Sequence, residues 1–368
     1  MADLYIGMMS GTSMDAVDAT LVSFNQNLPS IVQSHQIPIP HRLKSNIIAL
    51  CEASPNEIQQ LCQLEHQLGH LYAQCVTELL KNTSIQASAI RAIGNHGQTI
   101  RHEPNNTFPY TLQIGDANII AEKTGITTVA DFRRRDIAAG GQGAPLVPAF
   151  HKMLFSTPDE NRVIVNIGGM ANITVLSQSS EVIGFDTGPG NVLLDLWSHQ
   201  HLHKAFDDGG VWASSGETDQ ALLKACLHEP FFTLPPPKST GRELFNERWL
   251  KQKIQAVCRP LQPKNVQATL SQLTATTIYQ AIKTLAVDTD RVLVCGGGAY
   301  NKTLMKQLTL QLSPIAVETT DYLGVPPQAV ESMAFAWLAK QTIEQKPGNL
   351  PSVTGASRPV ILGAIYSA

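Results

Sequence analysis

The chain has 368 residues, more than one ordinary hydrophobic core accommodates, so two domains are expected. Hydrophobic residues make up 43% of the sequence and charged residues 15%, which is typical of a globular protein and excludes a disordered chain. The formal net charge of −3 argues against a general nucleic-acid or membrane-surface partner.

The sequence carries neither a targeting pattern nor a membrane-spanning pattern. No basic run followed by a long apolar segment opens the chain, and no apolar stretch reaches transmembrane length. The six cysteines are scattered without a Cys-x-x-Cys pair, and their neighbours are mostly apolar. Buried free thiols in a reducing compartment fit this pattern, so we expect a cytoplasmic protein.

The first predicted feature is a β-hairpin at the start of the chain. Apolar strands at residues 4–9 and 19–22 enclose a turn rich in hydroxyl groups, glycine and carboxylates. Such a turn can hold phosphates, although it lacks the Gly-Lys-Ser/Thr sequence of a P-loop. Without that lysine a metal ion would neutralise the phosphates, and Asp15 and Asp18 are placed to bind Mg²⁺ directly or through water. The alternative is a solvated polar turn.

A long helix and a polar strand end follow the hairpin. Apolar residues recur at helical spacing over residues 58–79, which predicts a helix with one buried face. A strand then ends at Gly94, and the residues just after it include His96, Gln98 and Thr99. Clustered neutral hydrogen-bonding side chains suit a sugar or another polyol better than an apolar ligand.

Three successive arginines, Arg133, Arg134 and Arg135, follow a strand predicted at residues 126–130. A run of like charges is usually a solvated surface. Its place between a strand end and the glycine-rich loop at residues 138–145 also lets at least one arginine bind a substrate carboxylate or phosphate through paired hydrogen bonds. The stretch at residues 132–145 is the best candidate for a boundary between two halves.

The second half opens on the pattern that organises the chain. Residues 163–176 read as two buried strands joined by a turn at Gly168 and Gly169. A third strand ends at residue 185, and Asp186 and a glycine turn lead from it into a helix. Glycine turns at helix N-termini favour phosphate because free N–H groups and the helix dipole attract anions. A carboxylate there suits the base of a phosphoryl transfer, and a helix cap is the alternative.

The last part of the chain adds a rigid insertion and a third glycine turn. Residues 235–243 are proline-rich and not helical. Helical patterns at residues 270–285 and 328–343 flank a buried strand that runs into three glycines at residues 296–298, where the backbone can approach a flat ligand. Neither their spacing nor their position fits a dinucleotide-binding fold.

The two halves carry similar turns near residues 12 and 187, which indicates two repeats of a small α/β fold. The sequence resembles the actin, hexokinase and heat-shock-chaperone ATPase superfamily, and within it the bacterial anhydro-N-acetylmuramic acid kinases. This resemblance covers nearly the whole chain. It rests on segments in one order, at residues 7–15, 96–99, 112–116, 130–136, 166–169, 185–191 and 237–243.

The resemblance implies two facing ribonuclease-H-like α/β domains of the sugar kinase and actin ATPase type with a central cleft. We predict an N-terminal domain over residues 1–132, which the C-terminal tail at residues 355–368 is able to join. The C-terminal domain is predicted over residues 133–354. The resemblance also implies a cytoplasmic homodimer that binds a small sugar and ATP, with no nucleic-acid or membrane partner.

Enzymes of this family use ATP and Mg²⁺ to convert 1,6-anhydro-N-acetylmuramic acid into N-acetylmuramic acid 6-phosphate during peptidoglycan recycling. The anhydro ring ties O6 to C1, so no free 6-hydroxyl group exists to be phosphorylated. The resemblance implies that Asp186 activates water to attack C1 while O6 takes the γ-phosphoryl group. Phosphorus then replaces the proton that a glycosidase needs from a second carboxylic acid.

The implied site has four groups of residues. Asp186 is the catalytic base, and Asp15 and Asp18 are the Mg²⁺ ligands. The expected ATP contacts are Gly11, Thr12, Ser13, Met14, Asp15, Ala16, Val17, Asp18, Asn166, Gly168, Gly169, Gly188, Gly190, Gly296, Gly297 and Gly298. The expected sugar contacts are His96, Gln98, Thr99, Asp131, Arg133, Arg134, Arg135 and Thr187, with one arginine at the lactyl carboxylate. Ala16 replaces the family's usual glycine, which predicts slight strain in the first turn.

Two other functions stay open. A simple hexose or amino-sugar kinase would use Asp186 to deprotonate a sugar hydroxyl group. A non-catalytic ATP-driven clamp of the chaperone type would need a large peptide-binding domain, and no remaining segment of the sequence is long enough. Measuring ATP consumption across free sugars and anhydro sugars discriminates among these functions.

Overall fold

The computed structural model describes residues 3–11, 14–25, 28–51, 55–285 and 288–368. Contacts divide the chain into two compact units, which we call unit 1 (Met1–Leu154 and Ala329–Ala368) and unit 2 (Phe155–Gln328). The predicted boundary at residue 132 therefore lies inside unit 1, and the segment at residues 329–354 belongs to unit 1 instead of the C-terminal domain.

The described residues form strands and helices in alternating groups. The strands are β1 (Asp3–Met9), β2 (Ala16–Asn25), β3 (Leu28–Pro38), β4 (Ile90–Asn95), β5 (Gln98–Glu103), β6 (Tyr110–Ile114), β7 (Thr128–Ala130), β8 (Arg162–Ile167), β9 (Met170–Leu176), β10 (Ile183–Pro189), β11 (Arg291–Cys295), β12 (Ala316–Thr319) and β13 (Ala364–Tyr366). The α-helices are α1 (His41–Leu50), α2 (Glu57–Lys81), α3 (Ala117–Thr124), α4 (Arg134–Ala138), α5 (Val147–Phe155), α6 (Val192–Leu202), α7 (Val211–Ser214), α8 (Gln220–Leu227), α9 (Glu247–Gln255), α10 (Pro263–Thr284), α11 (Lys302–Leu312), α12 (Ala329–Ile343) and α13 (Pro351–Thr354).

Unit 1 is built on a sheet with the strand order β13-β7-β4-β1-β2-β3. Strands β1, β2 and β3 form an antiparallel meander, and β4 and β7 continue the sheet in parallel with β1. The C-terminal strand β13 pairs antiparallel with β7. The tail of the chain thus completes the first sheet, and β5 and β6 form a separate two-stranded ribbon.

Helices cover both faces of the first sheet because neighbouring side chains of a strand point to opposite faces. Ile6 and Met8 pack with the apolar face of α2 in one core. On the other face a Cβ at Gly7 would overlap the Ser332 carbonyl oxygen of α12, so only glycine allows this close approach. This packing places α12 in unit 1, although more than three hundred residues separate it from β1.

Unit 2 repeats the strand order of the first sheet. Its order is β10-β9-β8-β11-β12, with an antiparallel meander of β8, β9 and β10 followed by the parallel strands β11 and β12. Helices α10 and α11 pack against this sheet. A second core, which includes Phe231, Phe245 and Trp249, joins α6, α8, α9 and α10. The predicted hairpin at residues 163–176 and the predicted repeat of one α/β fold are confirmed.

Two further predictions concern membrane-spanning helices and the burial of the cysteines. In the ranges given above, no helix has both the length and the apolar character needed to cross a membrane. No disulfide joins the six cysteines in the described part of the chain, and Cys75, Cys226 and Cys295 are buried. Cys62 and Cys258 are exposed, so burial holds for only part of the set.

Candidate active site

Three glycine turns meet at one end of the sheet of unit 2. The turn between β8 and β9 accepts hydrogen bonds from the segment between β10 and α6: the Gly168 carbonyl from the Asn191 N–H (2.8 Å), and the Gly169 carbonyl from the Gly190 N–H (2.9 Å). The Asn191 side-chain amide donates to the Ile167 carbonyl (3.2 Å). These contacts, two between backbone groups and one from a neutral side chain, bring the predicted phosphate-binding segments together without using side-chain charge.

The glycines of these turns differ in the space around them. A Cβ at Gly190 would overlap the Gly168 carbonyl oxygen, and one at Gly296 would overlap the Asn166 side chain, so both positions need glycine for close packing. A Cβ at Gly168 would meet only the Met170 carbonyl oxygen, at 3.6 Å, and one at Gly297 only the Asn191 amide, at 3.9 Å. The open side of Gly168 and Gly297 leaves room for a ligand to approach the backbone.

Asp186 lies within β10, where it pairs with Asn172 of β9 and is only 8% exposed. Its backbone N–H donates to the Lys238 carbonyl (3.1 Å), and its Oδ2 accepts the Thr240 N–H (2.9 Å). The N-cap of α6 is Asn191, so Asp186 is not the helix cap that the sequence left as an alternative. The carboxylate is therefore fixed by the segment at residues 235–243.

Thr187 and Gly188 follow Asp186 with different surroundings. The Thr187 hydroxyl donates to the Ala171 carbonyl (3.2 Å), which turns it toward its own sheet. A Cβ at Gly188 would lie 2.6 Å from the Phe232 ring, so this aromatic side chain packs directly on the strand. Thr187 is thus engaged within unit 2, and its predicted contact with the sugar stays a prediction.

Sequence reasoning missed two residues beside Asp186. Lys238 is only 9% exposed, and Thr240 supplies the N–H that binds the carboxylate. The Thr240 Oγ1 is buried and has no hydrogen-bond partner among the described residues, which leaves a hydroxyl group available next to the base. The sequence did show a lysine and two hydroxyl residues within a proline-rich insertion, which is an unusual place for them. It could not show their contact with Asp186, because more than fifty residues separate the two in sequence.

The predicted phosphate turn of unit 1 lies between β1 and β2. Thr12 and Ser13 are outside the described residues. Met14 adopts a left-handed backbone (φ 53°) and is buried, and Val17 belongs to the core. Ala16 is the first residue of β2 and pairs with Pro38, so the strain predicted at Ala16 is wrong because an extended strand suits alanine.

The two predicted Mg²⁺ ligands already contact other side chains. Asp15 Oδ1 accepts a hydrogen bond from Lys44 Nζ (2.6 Å), so a lysine from α1 neutralises this turn, which the sequence motif did not reveal. Burial raises the pKa of Asp18 to about 6, although Gln36 donates to its carboxylate (2.9 Å). No group of three metal-ligating side chains occurs in the described part of the chain. Mg²⁺ commonly binds one or two carboxylates with phosphates and waters, so this pair still fits it.

His96 and Arg133 form the centre of the polar cluster in unit 1. Nε2 of His96 accepts hydrogen bonds from Arg133 Nε (3.0 Å) and Nη2 (2.8 Å). Burial, and next the Arg133 charge, hold the pKa of His96 well below its ordinary value, so the imidazole is neutral. Arg133 Nη1 donates to the Gly143 carbonyl (2.8 Å), and this arginine is therefore held by both strand end and loop.

A buried carboxylate that the sequence reasoning missed supports Arg133. Asp136 Oδ2 accepts the Gly143 N–H (2.7 Å), and Oδ1 accepts from Asn349 (2.7 Å) and Thr354 (2.8 Å). The carboxylate is fully buried. It fixes the loop whose carbonyl binds Arg133, so the C-terminal segment contributes to the position of that guanidinium.

The other two arginines of the run have different places. Arg134 pairs with Asp131 (2.7 Å) and its side chain is 66% exposed, and Arg135 is exposed. Asp131 adopts a left-handed backbone (φ 58°), which is uncommon outside glycine. A cavity of about 250 Å³ in unit 1 is lined by His96, Asp131 and Arg134 among others. Three of the predicted sugar residues thus share one cavity.

Gln98 and Thr99 belong to a neighbouring hydrogen-bond network. Gln98 Oε1 accepts from the Ser10 hydroxyl (2.9 Å), and Ser10 also contacts the buried Tyr72 hydroxyl (2.6 Å). Thr99 Oγ1 accepts from the Gln113 amide (3.2 Å). The structure thus links the phosphate turn after β1 to the polar strand end after β4, within unit 1.

Comparison with known proteins gives this chain full-length relatives. The family model described as "Anhydro-N-acetylmuramic acid kinase" matches residues 3–368. Proteins of that name from Coxiella burnetii and Pasteurella multocida are each 51% identical over 98% of this chain, and 97% and 96% of their own lengths are covered. Component A of the Acidaminococcus fermentans (R)-2-hydroxyglutaryl-CoA dehydratase matches with a TM-score of 0.50 and 10% identity over 91% of this chain and 96% of that chain. That likeness concerns the fold alone, and it agrees with the predicted two-domain α/β class.

Proposed function

Because the chain belongs to the anhydro-N-acetylmuramic acid kinase family and is an ATP-dependent sugar kinase, we propose that it hydrolytically opens 1,6-anhydro-N-acetylmuramic acid and phosphorylates O6. The product is N-acetylmuramic acid 6-phosphate. The observation that carries the proposal is the Asp186 carboxylate, held at the glycine-turn end of the sheet by the Thr240 N–H. Peptidoglycan recycling, a cytoplasmic location and a homodimer belong to the same proposal.

In this reaction the Asp186 carboxylate is the general base. It takes a proton from a water molecule as the water oxygen bonds to C1 of the sugar. The C1–O6 bond breaks and its electron pair stays on O6, which bonds to the γ-phosphorus of ATP as ADP leaves. Asp186 then releases the proton to solvent. One carboxylate suffices because phosphorus takes the place of the proton that a glycosidase delivers to the leaving oxygen.

The glycine turns are proposed to hold the nucleotide. Bound ATP supplies the phosphoryl group, and Mg²⁺ offsets the charge of its phosphates. The open side of Gly168 and Gly297 supports a ligand against the backbone of unit 2. Asp15 and Asp18 are the proposed Mg²⁺ ligands, with Lys44 as a further positive charge at the same turn.

Arg133 is the proposed partner of the lactyl carboxylate that distinguishes muramic acid from glucosamine. It is the only arginine of the run 133–135 for which the described contacts include both a buried histidine and a loop carbonyl. A guanidinium fixed in this way loses little further freedom when it binds a planar carboxylate. The other proposed sugar contacts are His96, Gln98, Thr99, Asp131 and Thr187. They are assigned to no particular group of the sugar.

The decisive variant is Asp186→Asn, which keeps the shape of the side chain but cannot accept a proton at neutral pH. We expect kcat to fall at least about a hundredfold while ATP binding measured by calorimetry is retained. Asp208→Asn, at an exposed residue of unit 2, is the matched control and should retain activity. An active Asp186→Asn enzyme would contradict the role of the base.

Isotope labelling separates this reaction from its alternatives. In ¹⁸O water the label should appear at C1 of the sugar product and not in the phosphate. Label in the phosphate would mean plain hydrolysis of ATP. An unlabelled sugar, after correction for anomeric exchange, would mean a simple sugar kinase in which Asp186 deprotonates a hydroxyl group.

A further inference from the structure

Lys238 is a charged side chain buried beside the proposed base, and the mechanism above does not use it. It lies in the proline-rich segment at residues 235–243 and is only 9% exposed. Taking an ammonium group out of water is costly unless its hydrogen bonds are replaced. The contacts of Lys238 therefore need an explanation.

The Lys238 ammonium joins the segment to a short 3₁₀ helix, Pro230–Thr233. Its Nζ donates to the carbonyls of Phe231 (3.1 Å) and Phe232 (3.2 Å). It also lies over the faces of two aromatic rings, 4.8 Å from the centroid of Phe231 and 5.6 Å from that of Phe185. Phe185 directly precedes Asp186, so the same ammonium contacts the strand that carries the base.

The backbone of this segment makes the contacts that orient Asp186. The Lys238 carbonyl accepts the Asp186 N–H (3.1 Å), and the Thr240 N–H donates to the Asp186 carboxylate (2.9 Å). Phe232, whose carbonyl binds the ammonium, packs its ring directly on Gly188. Strand β10 is thus held from two sides by groups that converge on Lys238.

We infer that Lys238 is a positioning residue for Asp186. Its ammonium fixes the segment that delivers the Thr240 N–H to the carboxylate, and its charge favours the ionised form of the base. An apolar side chain between the two rings would pack as well without the cost of burying a charge, so stability alone does not explain a lysine here. This inference rests on the proposed function of Asp186.

The electrostatics agree with this geometry. Burial lowers the pKa of Lys238, and the Asp186 carboxylate acts in the opposite direction, so the two groups interact. The other charged residues of the same segment are Arg242 and Glu243, and the cross-strand neighbour of Asp186 on β9 is the neutral Asn172. Changing Lys238 alone leaves all of these in place.

The test is Lys238→Met, whose unbranched side chain fills the same space between the rings without charge or donor. We expect kcat to fall roughly ten- to a hundredfold with the KM for ATP little changed, because the chemical step is affected and not nucleotide binding. The acid limb of the kcat profile should move to higher pH, since removing a nearby positive charge raises the pKa of a carboxylate. Lys238→Arg should bring the acid limb back toward the wild-type position.

Lys253→Met is the matched control, because this lysine also lies over an aromatic ring in unit 2, 5.1 Å from the centroid of Trp249. Lys253→Met should leave the acid limb of the kcat profile at the wild-type pH. A Lys238→Met enzyme with unchanged kcat and acid limb would overturn the inference. If that variant does not fold, Lys238→Gln keeps an amide donor for the two carbonyls, and it must shift the limb in the same direction.

The two hypotheses fail in different ways. An active Asp186→Asn enzyme would remove the base and with it the reason to position it. An inactive Asp186→Asn enzyme together with an unaltered Lys238→Met enzyme would leave the base in place and remove only the role of Lys238.

Discussion

Units 1 and 2 share one strand order but use different chemistry at corresponding strand ends. In unit 1 the turn after the first strand adds side-chain contacts, Ser10 on Gln98 and Asp15 on Lys44, to one backbone bond between Met14 and Gly11. In unit 2 the corresponding turn at Gly168 and Gly169 is held by backbone hydrogen bonds. The fourth strand shows the same contrast, because β4 ends at Asn95 and is followed by His96, whereas β11 ends at Cys295 and is followed by three glycines.

The contrast indicates that two units of one repeated fold offer different kinds of binding group to a ligand. Backbone N–H groups bind any phosphate and carry little information about the rest of a ligand. Side chains with fixed donors and acceptors discriminate among polar ligands. The comparison therefore predicts that unit 2 is sensitive to added bulk at its turns, and that unit 1 is sensitive to the loss of individual polar groups.

The largest effect is expected at Gly190 of unit 2. In Gly190→Ala the new Cβ would overlap the Gly168 carbonyl oxygen, so the two turns must separate. We expect kcat/KM to fall at least about a hundredfold and the free energy of unfolding to fall by about 1–3 kcal/mol, the usual cost of overpacking. Steady-state kinetics and urea unfolding measure the two effects.

Gly168→Ala, in the facing turn between β8 and β9, is the matched control. Its Cβ would meet only the Met170 carbonyl oxygen, at 3.6 Å, so the fold should tolerate it with a stability change of about 1 kcal/mol or less. Equal losses of unfolding free energy in both variants would contradict this prediction. Crowding around the Gly190 Cβ would then not explain why unit 2 is sensitive to added bulk.

A smaller effect is expected at the arginine run of unit 1. Arg133→Ala should raise the KM for the muramic sugar roughly ten- to a hundredfold, the scale of a lost charge-assisted pair, with little change in the KM for ATP. Arg135→Ala is the control, because its side chain is exposed and does not line the cavity, and Arg134→Ala is the third variant of the run. Three variants with unaltered kinetics would return the whole run to a solvated surface.

Features set by local sequence could be predicted. The hairpin of β8 and β9 follows from β-branched runs around two glycines. Asp186 follows from a carboxylate placed after an apolar strand, although β10 continues to Pro189, so the strand end predicted at residue 185 is wrong. Strand β3 and helix α1 were missed. Every second residue of β3 is exposed, and the strand lies at the sheet edge, so apolar residues do not mark it. The first residue of α1 follows Pro40 without a side-chain cap.

Features set by distant contacts could not be predicted. Helix α12 joins unit 1 because Gly7 and Gly94 let it approach the sheet, and no local pattern announces that packing. The same limit applies to the site. Lys44 reaches Asp15 from another element, and Thr240 reaches Asp186 from a loop more than fifty residues later, so both partners emerge only from the fold.

The last comparison concerns histidine, because unit 1 buries His96 and His151, whereas unit 2 buries none of its histidines. Burial lowers the pKa of His151 to about 3, and burial together with the Arg133 charge lowers that of His102 to about 4. The histidines of unit 2 are all exposed, namely His199, His201, His203 and His228. Acid should therefore weaken unit 1 more than unit 2.

The direction follows from proton linkage. The unfolded chain binds a proton on each histidine below about pH 6.5, whereas folded His151 stays neutral down to about pH 3. The contribution of each such histidine to the free energy of unfolding is therefore fully present above about pH 6.5. It is lost as the pH falls, by up to about 1.4 kcal/mol per pH unit.

His151→Gln should reduce the loss in unfolding free energy between pH 7 and pH 5 by about 2 kcal/mol, measured by urea unfolding. His199→Gln in unit 2 should leave that loss unchanged, and hydrogen exchange should show earlier opening of unit 1. Equal acid sensitivity of the two units would mean that burial of these imidazoles does not distinguish them.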